Sequence, residues 1–391
     1  MTETAATWDI LARLVAFETL TDGPNLGLID YVEATLRACG AEVARFAAPC
    51  GERAGLFARL GPALPGGVVL SAHSDVVPAA SQTWTRPPFR LTREGDRLYG
   101  RGTTDMKGAL AAMIAAFVRA KDAPRPGGGL NAPLMLALTY DEEIGCQGMA
   151  AMAPWLAPRV AGACAALVGE PTSLAVATAH KGKRAWRADF RGQAGHSALA
   201  PGYVSALHMG ADFLGALRAL QDDLATPGDT TIAYPTVHVG TFQAGDALNL
   251  VPETAEMAFE LRTRAAHDAH AIANQIAQAA QQVETRYRAR FPAARVTLTP
   301  GAAYPALAIA ADHPVVTRAC AWAAGAAPAE KTITVPFGTE AGFFAQMGLP
   351  TVVCGPGSMA EAGHQPDEFV PCADLAAMDR LLDRILDDLR A

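Results

Sequence analysis

Short apolar runs that halt at a histidine or an acid recur along this chain. Residues 67–71 (GVVLS) run on into His73, 134–139 (LMLALT) stop at Asp141-Glu142-Glu143, and 165–168 (AALV) stop just before Glu170. Runs of this length bounded by turn residues read as strands buried on both faces, the pattern of a parallel sheet covered by helices. In open α/β sheets, ligand sites form along the carboxyl edge of the strands. A chain patterned this way is held to an α/β architecture with its chemistry gathered at one end of the sheet. Two more segments add side chains able to hold a metal. They are the glycine-rich turn GRGTTDMKG at 100–108, with Asp105, and the loop GHQPDE at 363–368, with His364.

Residues 8–17 and 26–39 read as amphipathic helices, and 109–121 as a helix opened by the 100–108 turn. After His180 the character changes. Strand patterns at 184–191, 230–242, 256–264 and 294–298, with helices at 204–224 and 268–290, follow the order strand–helix–strand–strand–helix–strand. That is the order of a split βαβ, ferredoxin-like sandwich. The α/β pattern then resumes, with helices at 314–324, 339–347 and 374–389 and a strand at 351–354. At 391 residues the chain exceeds what a single core sustains. The expected organisation is an α/β metal-binding domain formed by 1–179 and 303–391, with an inserted α+β lid at 180–302. The tract 122–132 (DAPRPGGGLNA) reads as a loop rather than a linker.

The net charge is −7 and no block of basic residues occurs, so neither nucleic acid nor an anionic membrane is an expected partner. Seven cysteines (Cys39, Cys50, Cys146, Cys164, Cys320, Cys354, Cys372) are scattered, odd in number and never spaced C-x-x-C. They read as thiols of a reducing compartment, which makes a cytoplasmic location the expectation. Residues 1–20 carry Glu3, Asp9 and Glu18 among apolar residues, an amphipathic helix and not a signal peptide. The apolar stretch 109–118 is too short to span a bilayer.

Each candidate ligand has an ordinary alternative. His73 and Asp75 stand two apart at a strand end, so Asp75 can hold the far ring nitrogen of a metal-bound His73; the alternative is a loop histidine beside a solvated acid. Asp105 can cap the helix that follows it, yet Gly100 and Gly102 permit the tight backbone approach that a carboxylate shared by two cations needs. Glu142 and Glu143 are either two acids of a surface turn or a ligand beside a proton carrier, their proton affinities pushed apart by crowding. Glu170 taken alone is a strand-end acid, and His364 an exposed histidine. Together they form an oxygen and nitrogen set with one carboxylate more than a metal pair needs. Such a set suits a hydrolytic centre of two Zn2+, with Co2+ or Mn2+ as substitutes.

SAHSDVVP at 71–78, GRGTTDMKG at 100–108, DEEIG at 141–145, GEPT at 169–172, GHSA at 195–198 and GPGSMAEAGHQPDE at 355–368 resemble the M20 metallopeptidase family. The match runs in order over nearly the whole chain. The resemblance implies that His73, Asp105, Glu143, Glu170 and His364 hold two zinc ions, with Asp105 bridging. It makes Glu142 the general base and Asp75 the acid two residues after the first ligand. It also implies a zinc-dependent exopeptidase-like catalytic domain and a homodimer formed through the lid. HKGK at 180–183, the segment 234–249 and GTEAGFF at 338–344 are most similar to the acetylornithine deacetylase branch. That branch hydrolyses N2-acetyl-L-ornithine to L-ornithine and acetate in arginine biosynthesis. The alternatives within the family are a succinyl-diaminopimelate desuccinylase, an N-acyl amino acid deacylase or a dipeptidase; outside it, a non-catalytic zinc-binding interaction module. Ala362-Gly363-His364 carries one residue more than the family pattern before the ligand histidine.

By the same resemblance His196 reaches the partner's active site and stabilises the oxyanion, Asn249 binds substrate, and Arg262 contacts a substrate carboxylate, although Arg264 points the same way. Gly338, Thr339 and Glu340 form the turn that opens a helix, where an acid is favoured in any case. Glu340 is further expected to meet the substrate's side-chain ammonium. His180 and His238 lie in similar segments, where packing accounts for them equally well.

Overall fold

The computed structural model describes residues 3–122, 129–225, 234–325 and 332–391. Much of the expected loop at 122–132 and the start of the strand expected at 230–242 lie outside the described residues. The chain divides into two compact units, Met1–His180 with Leu307–Ala391, and Lys181–Ala306. No helix among the described residues is long and apolar enough to cross a membrane.

A nine-stranded sheet organises the first unit. Its middle is parallel: Leu134–Thr139, Val68–His73, Ala165–Val168 and Thr351–Val353 run side by side. All four are buried throughout, which is why their sequences admit so few polar side chains. The register sets His73 opposite Thr139, and Ser71 opposite both Ala137 and Val168. Whatever follows these strands therefore emerges along one edge. The antiparallel hairpin of Glu42–Ala47 and Ala54–Leu60 extends the sheet beyond Leu134–Thr139. No strand is expected there from the sequence, because arginine, alanine and glycine interrupt the apolar pattern. At the other side Ala177–His180 pairs with Leu307–Ala308 and Ile333–Val335.

The helix Gly108–Asp122 is apolar on every side up to its last turn, and Ala109 to Phe117 are all solvent-inaccessible. Such a helix belongs in an interior. It shares one apolar core with Leu11 and Leu14 of Glu3–Val15 and with Leu375, Met378 and Leu382 of Cys372–Arg390. Each buried leucine contributes about 1.5–3 kcal/mol. A further helix, Gln147–Val160, not expected from the sequence, contains Pro154 and Pro158, residues unfavourable in a helix interior. Gly148 lets it approach the sheet, since a Cβ there would lie 1.8 Å from the Tyr140 carbonyl oxygen.

The second unit is a four-stranded antiparallel sheet in the order Thr236–Ala244, Thr254–Thr263, Gly182–Arg191, Arg295–Tyr304. One face, with Phe190, Met257, Phe259 and Leu261, packs on Phe213 and Leu217 of Ala206–Leu224 and Ile276 of Ala269–Arg288. The latter helix starts where Asp268 accepts the amides of His270 and Ala271, both at 2.9 Å.

Candidate active site

Val68–His73 ends with the His73 ring turned so that Nδ1 lies 2.9 Å from the Asp75 backbone oxygen and 3.5 Å from the Asp75 carboxylate. Nδ1 thus faces the Asp75 carbonyl, and Nε2 is the atom turned toward the other acids. The Asp75 carboxylate has a second task that the sequence did not reveal. Its Oδ1 accepts the Glu142 amide at 3.1 Å and its Oδ2 the Glu143 amide at 3.2 Å. Asp75 thereby ties the end of one strand to the turn after its neighbour, Leu134–Thr139. Asp141, which opens that turn at φ 54, is held by Arg53 at 2.6 Å.

Asp105 lies in the turn Thr103–Lys107 and is 4% exposed. It caps no helix amide. Its Oδ1 is 3.1 Å from His73 Nε2 and its Oδ2 is 3.1 Å from His364 Nε2. His364 Nε2 is also 2.9 Å from Glu143 Oε2, and His73 Nε2 is 3.8 Å from Glu170 Oε1. Two triplets, His73–Asp105–Glu143 and His73–Glu142–Glu170, each offer ligand atoms within 4.8 Å of one another. Gly102 makes the turn possible: its φ is +84, and a Cβ there would meet Val76 Cγ1 at 2.7 Å.

The charges in this place do not balance without further positive charge. Glu143 Oε1 and Glu170 Oε1 are buried and have no hydrogen-bond partner, a costly condition for an acceptor. Burial, then the neighbouring Asp105, pushes Glu143 up to about 7. Burial, with Asp105 and Glu142 adding to it, lifts Glu170 well above the usual carboxylate range. Glu142 is lifted in the same direction by burial, with Glu143 and Glu340 contributing. Burial would also raise Asp105, but the hydrogen bonds from His364 and His73 outweigh it and hold that carboxyl far below its usual range. The hydrogen bonds to Asp105 and Glu143 raise His364 to about 10. Divalent cations would give the orphaned oxygens the partners they lack, and the oxygen and nitrogen donors fit zinc, cobalt or manganese.

Cys146, missed by the sequence reading, gives its thiol to Glu142 Oε1 at 3.2 Å. Glu340 is placed differently from the expectation that it meets a substrate ammonium. It is 1% exposed, and its two oxygens accept the hydroxyls of Thr139 at 2.6 Å and Ser71 at 3.3 Å. It sits beneath the acids, on the strands that carry them, where burial lifts it to about 7. Thr339 is also buried; its Oγ1 accepts the Ala341 amide at 3.0 Å and lies 3.1 Å from His180 Nε2. Gly338 beside it is half-buried.

In the second unit His196 and Asn249 are exposed neighbours: Gly195–His196 pairs with Leu250–Val251, and the Asn249 carbonyl accepts the Ser197 amide at 3.0 Å. Arg262, expected to contact a substrate carboxylate, has partners within its own unit. Its Nε donates to Glu260 at 2.8 Å and its Nη1 to the Tyr304 hydroxyl at 2.5 Å. Glu260 is the carboxylate this arginine already has, two residues away on the same face of the strand.

Residues 69–388 match the sequence profile of peptidase family M20/M25/M40. The chain belongs to this family. It is accordingly a hydrolase of amide bonds with the family's mixed α/β fold. Acetylornithine deacetylase of Myxococcus xanthus is 35% identical over 385 residues, covering 96% of this chain and 95% of that protein. The acetylornithine deacetylase of Photorhabdus laumondii is 31% identical over 373 residues, 94% of this chain and 91% of that one. Among solved structures, an M20 family metallo-carboxypeptidase of Sulfolobus solfataricus has a TM-score of 0.79 at 17% identity, over 98% of this chain and 99% of the other. A dinuclear metal-binding M20 peptidase of Bacillus subtilis has a TM-score of 0.68 at 14% identity, over 99% and 98%. At those identities the likeness is one of fold.

Proposed function

We propose that this M20/M25/M40 hydrolase removes the acetyl group from N2-acetyl-L-ornithine to give L-ornithine and acetate. One observation carries the reading of the site: the Asp105 carboxylate turns its two oxygens to two different histidines, beside two buried glutamates that each have an oxygen without a donor. The choice of substrate rests on the relatives named acetylornithine deacetylase, which match over nearly their whole length.

In this reading His73, Asp105, Glu143, Glu170 and His364 hold two divalent ions, zinc first, with Co2+ or Mn2+ as substitutes. Bound there, such a pair lowers the proton affinity of water and polarises an amide carbonyl. Glu142 moves the proton. Its carboxylate takes one from the water that attacks the acetyl carbon and returns it to the amine nitrogen as the C–N bond breaks. Asp75 orients Glu142 through the backbone amide, and Cys146 through the carboxylate itself. In the lid, His196 Nδ1 accepts the Ala198 amide at 3.1 Å, so the ring proton sits on Nε2, a donor for the oxyanion developing in the other subunit's site. Asn249, alongside it, is the proposed substrate contact.

A homodimer formed through the lid belongs to the same reading. Leu199, Leu207, Leu248 and Leu250 are exposed on that unit, an apolar set that a second copy would cover. A cytoplasmic place in arginine biosynthesis belongs to the same reading.

The test is a panel of amides offered to the purified protein with zinc or cobalt: N-acetylornithine, a neutral N-acetyl amino acid, succinyl-diaminopimelate and a dipeptide. Acetylornithine is expected to lead in kcat/KM by about tenfold or more. A lead by another member would overturn the substrate assignment. Failure of the whole panel, with or without metal, would favour a zinc-binding module without catalysis.

A further inference from the structure

Glu368 is 1% exposed, and all four hydrogen bonds it accepts come from the segment that presents Asp105. Its Oε1 accepts the amides of Thr104 at 2.8 Å and Asp105 at 3.0 Å. Its Oε2 accepts the Gly102 amide at 2.9 Å and Arg101 Nη1 at 2.8 Å. Arg101, equally buried, donates its other terminal nitrogen to Gln82, whose amide in turn donates to the His364 backbone oxygen at 2.7 Å. Since Glu368 follows His364 by four residues, the contacts close a ring. The backbone of His364 and the backbone of Asp105 are thereby locked to each other.

The ring is placed where the fold offers least support. His73 and Glu170 grow out of sheet strands, whereas His364 stands at φ 58 in a loop with its side chain 48% exposed. A buried ion pair adds little net stability once its desolvation is counted, so its use here is to fix geometry. Resting on the two-metal reading above, we infer that Glu368, acting through Arg101 and Gln82, is a positioning residue for the half of the centre formed by Asp105, Glu143 and His364, and sets the metal affinity of that half apart from the half at His73 and Glu170.

The experiment is a calorimetric Zn2+ titration of the metal-stripped full-length chain, with thermal unfolding of the same samples. Glu368→Gln keeps one acceptor oxygen but turns an amide N–H toward the Gly102 and Arg101 donors. Gln82→Ala removes only the link to His364. The unaltered protein is expected to take up two equivalents. Glu368→Gln should keep one at its original affinity and weaken the other by about 10–100-fold, the usual cost of losing a group that orients a ligand. Gln82→Ala should weaken the same equivalent by a smaller factor, with its unfolding temperature unchanged. Two equivalents in the unaltered protein, with both variants either unaffected or weakened at both sites alike, would overturn this role and leave the two-metal reading standing. Fewer than two equivalents in the unaltered protein would remove that reading and this inference together. Should Glu368→Gln fail to fold, Gln82→Ala decides alone: no selective weakening means no positioning role.

Discussion

Asp105 Oδ2 lies 3.1 Å from His364 Nε2, across 259 residues of chain. The other oxygen of the same carboxylate faces His73 at the same distance, so in the proposed centre one side chain would serve both halves. Asp105→Asn preserves its size but replaces an acceptor oxygen with an N–H donor. Metal affinity is expected to drop by more than about 100-fold, beyond the cost of losing a merely orienting group. Elemental analysis after dialysis checks this, and two equivalents retained by the variant would show that Asp105 is not shared.

Glu142 and Glu143 adjoin in sequence, but the proposal gives them different work. Glu142→Gln should lower kcat on acetylornithine by about 10²–10⁴-fold, the range for a lost acid–base group, with metal content and KM close to unaltered. Because Glu142 lies as near to His73 and Glu170 as a ligand would, metal content is the deciding readout. Metal lost in step with kcat would make Glu142 a ligand and refute its role as base.

Asp379 ties three helices of the first unit together away from the acids of the site. It accepts the Thr7 hydroxyl at 2.8 Å and Arg119 Nη1 at 3.1 Å, and burial, partly opposed by Arg119, lifts it to about 6. Its folded pKa thus stands above the unfolded value of about 3.9, and the protonated form is favoured by folding. The stabilisation is complete below about pH 4 and is lost as pH rises through about 6, a change of roughly 2–3 kcal/mol by linkage. Asp379→Asn cannot titrate. The unfolding free energy of the unaltered protein minus that of the variant should therefore fall by this amount from about pH 4 to about pH 7. Urea melts across that range measure it, and a constant difference would mean that Asp379 titrates like a solvated acid.

The parallel core was legible because strands covered on both faces must be apolar at nearly every position. The runs 134–139 and 165–168 coincide with Leu134–Thr139 and Ala165–Val168. The hairpin at Glu42–Ala47 and Ala54–Leu60 was not legible, since a partly exposed sheet edge tolerates arginine and alanine. Nor was Gln147–Val160, whose two prolines mimic a break.

By itself the sequence determined which side chains end the strands, and hence that histidine and acids would line one edge of an α/β sheet. Periodicity and turn residues are local properties, and strand ends follow from them. The tertiary structure alone decided what those side chains meet. It set Asp75 against the amides of Glu142 and Glu143, Glu340 beneath them on Ser71 and Thr139, Arg262 onto Glu260 and Tyr304, and Glu368 onto the turn that carries Asp105. Most of these contacts join residues far apart in the chain; they depend on strand register and loop path, which no pattern of neighbouring residues encodes.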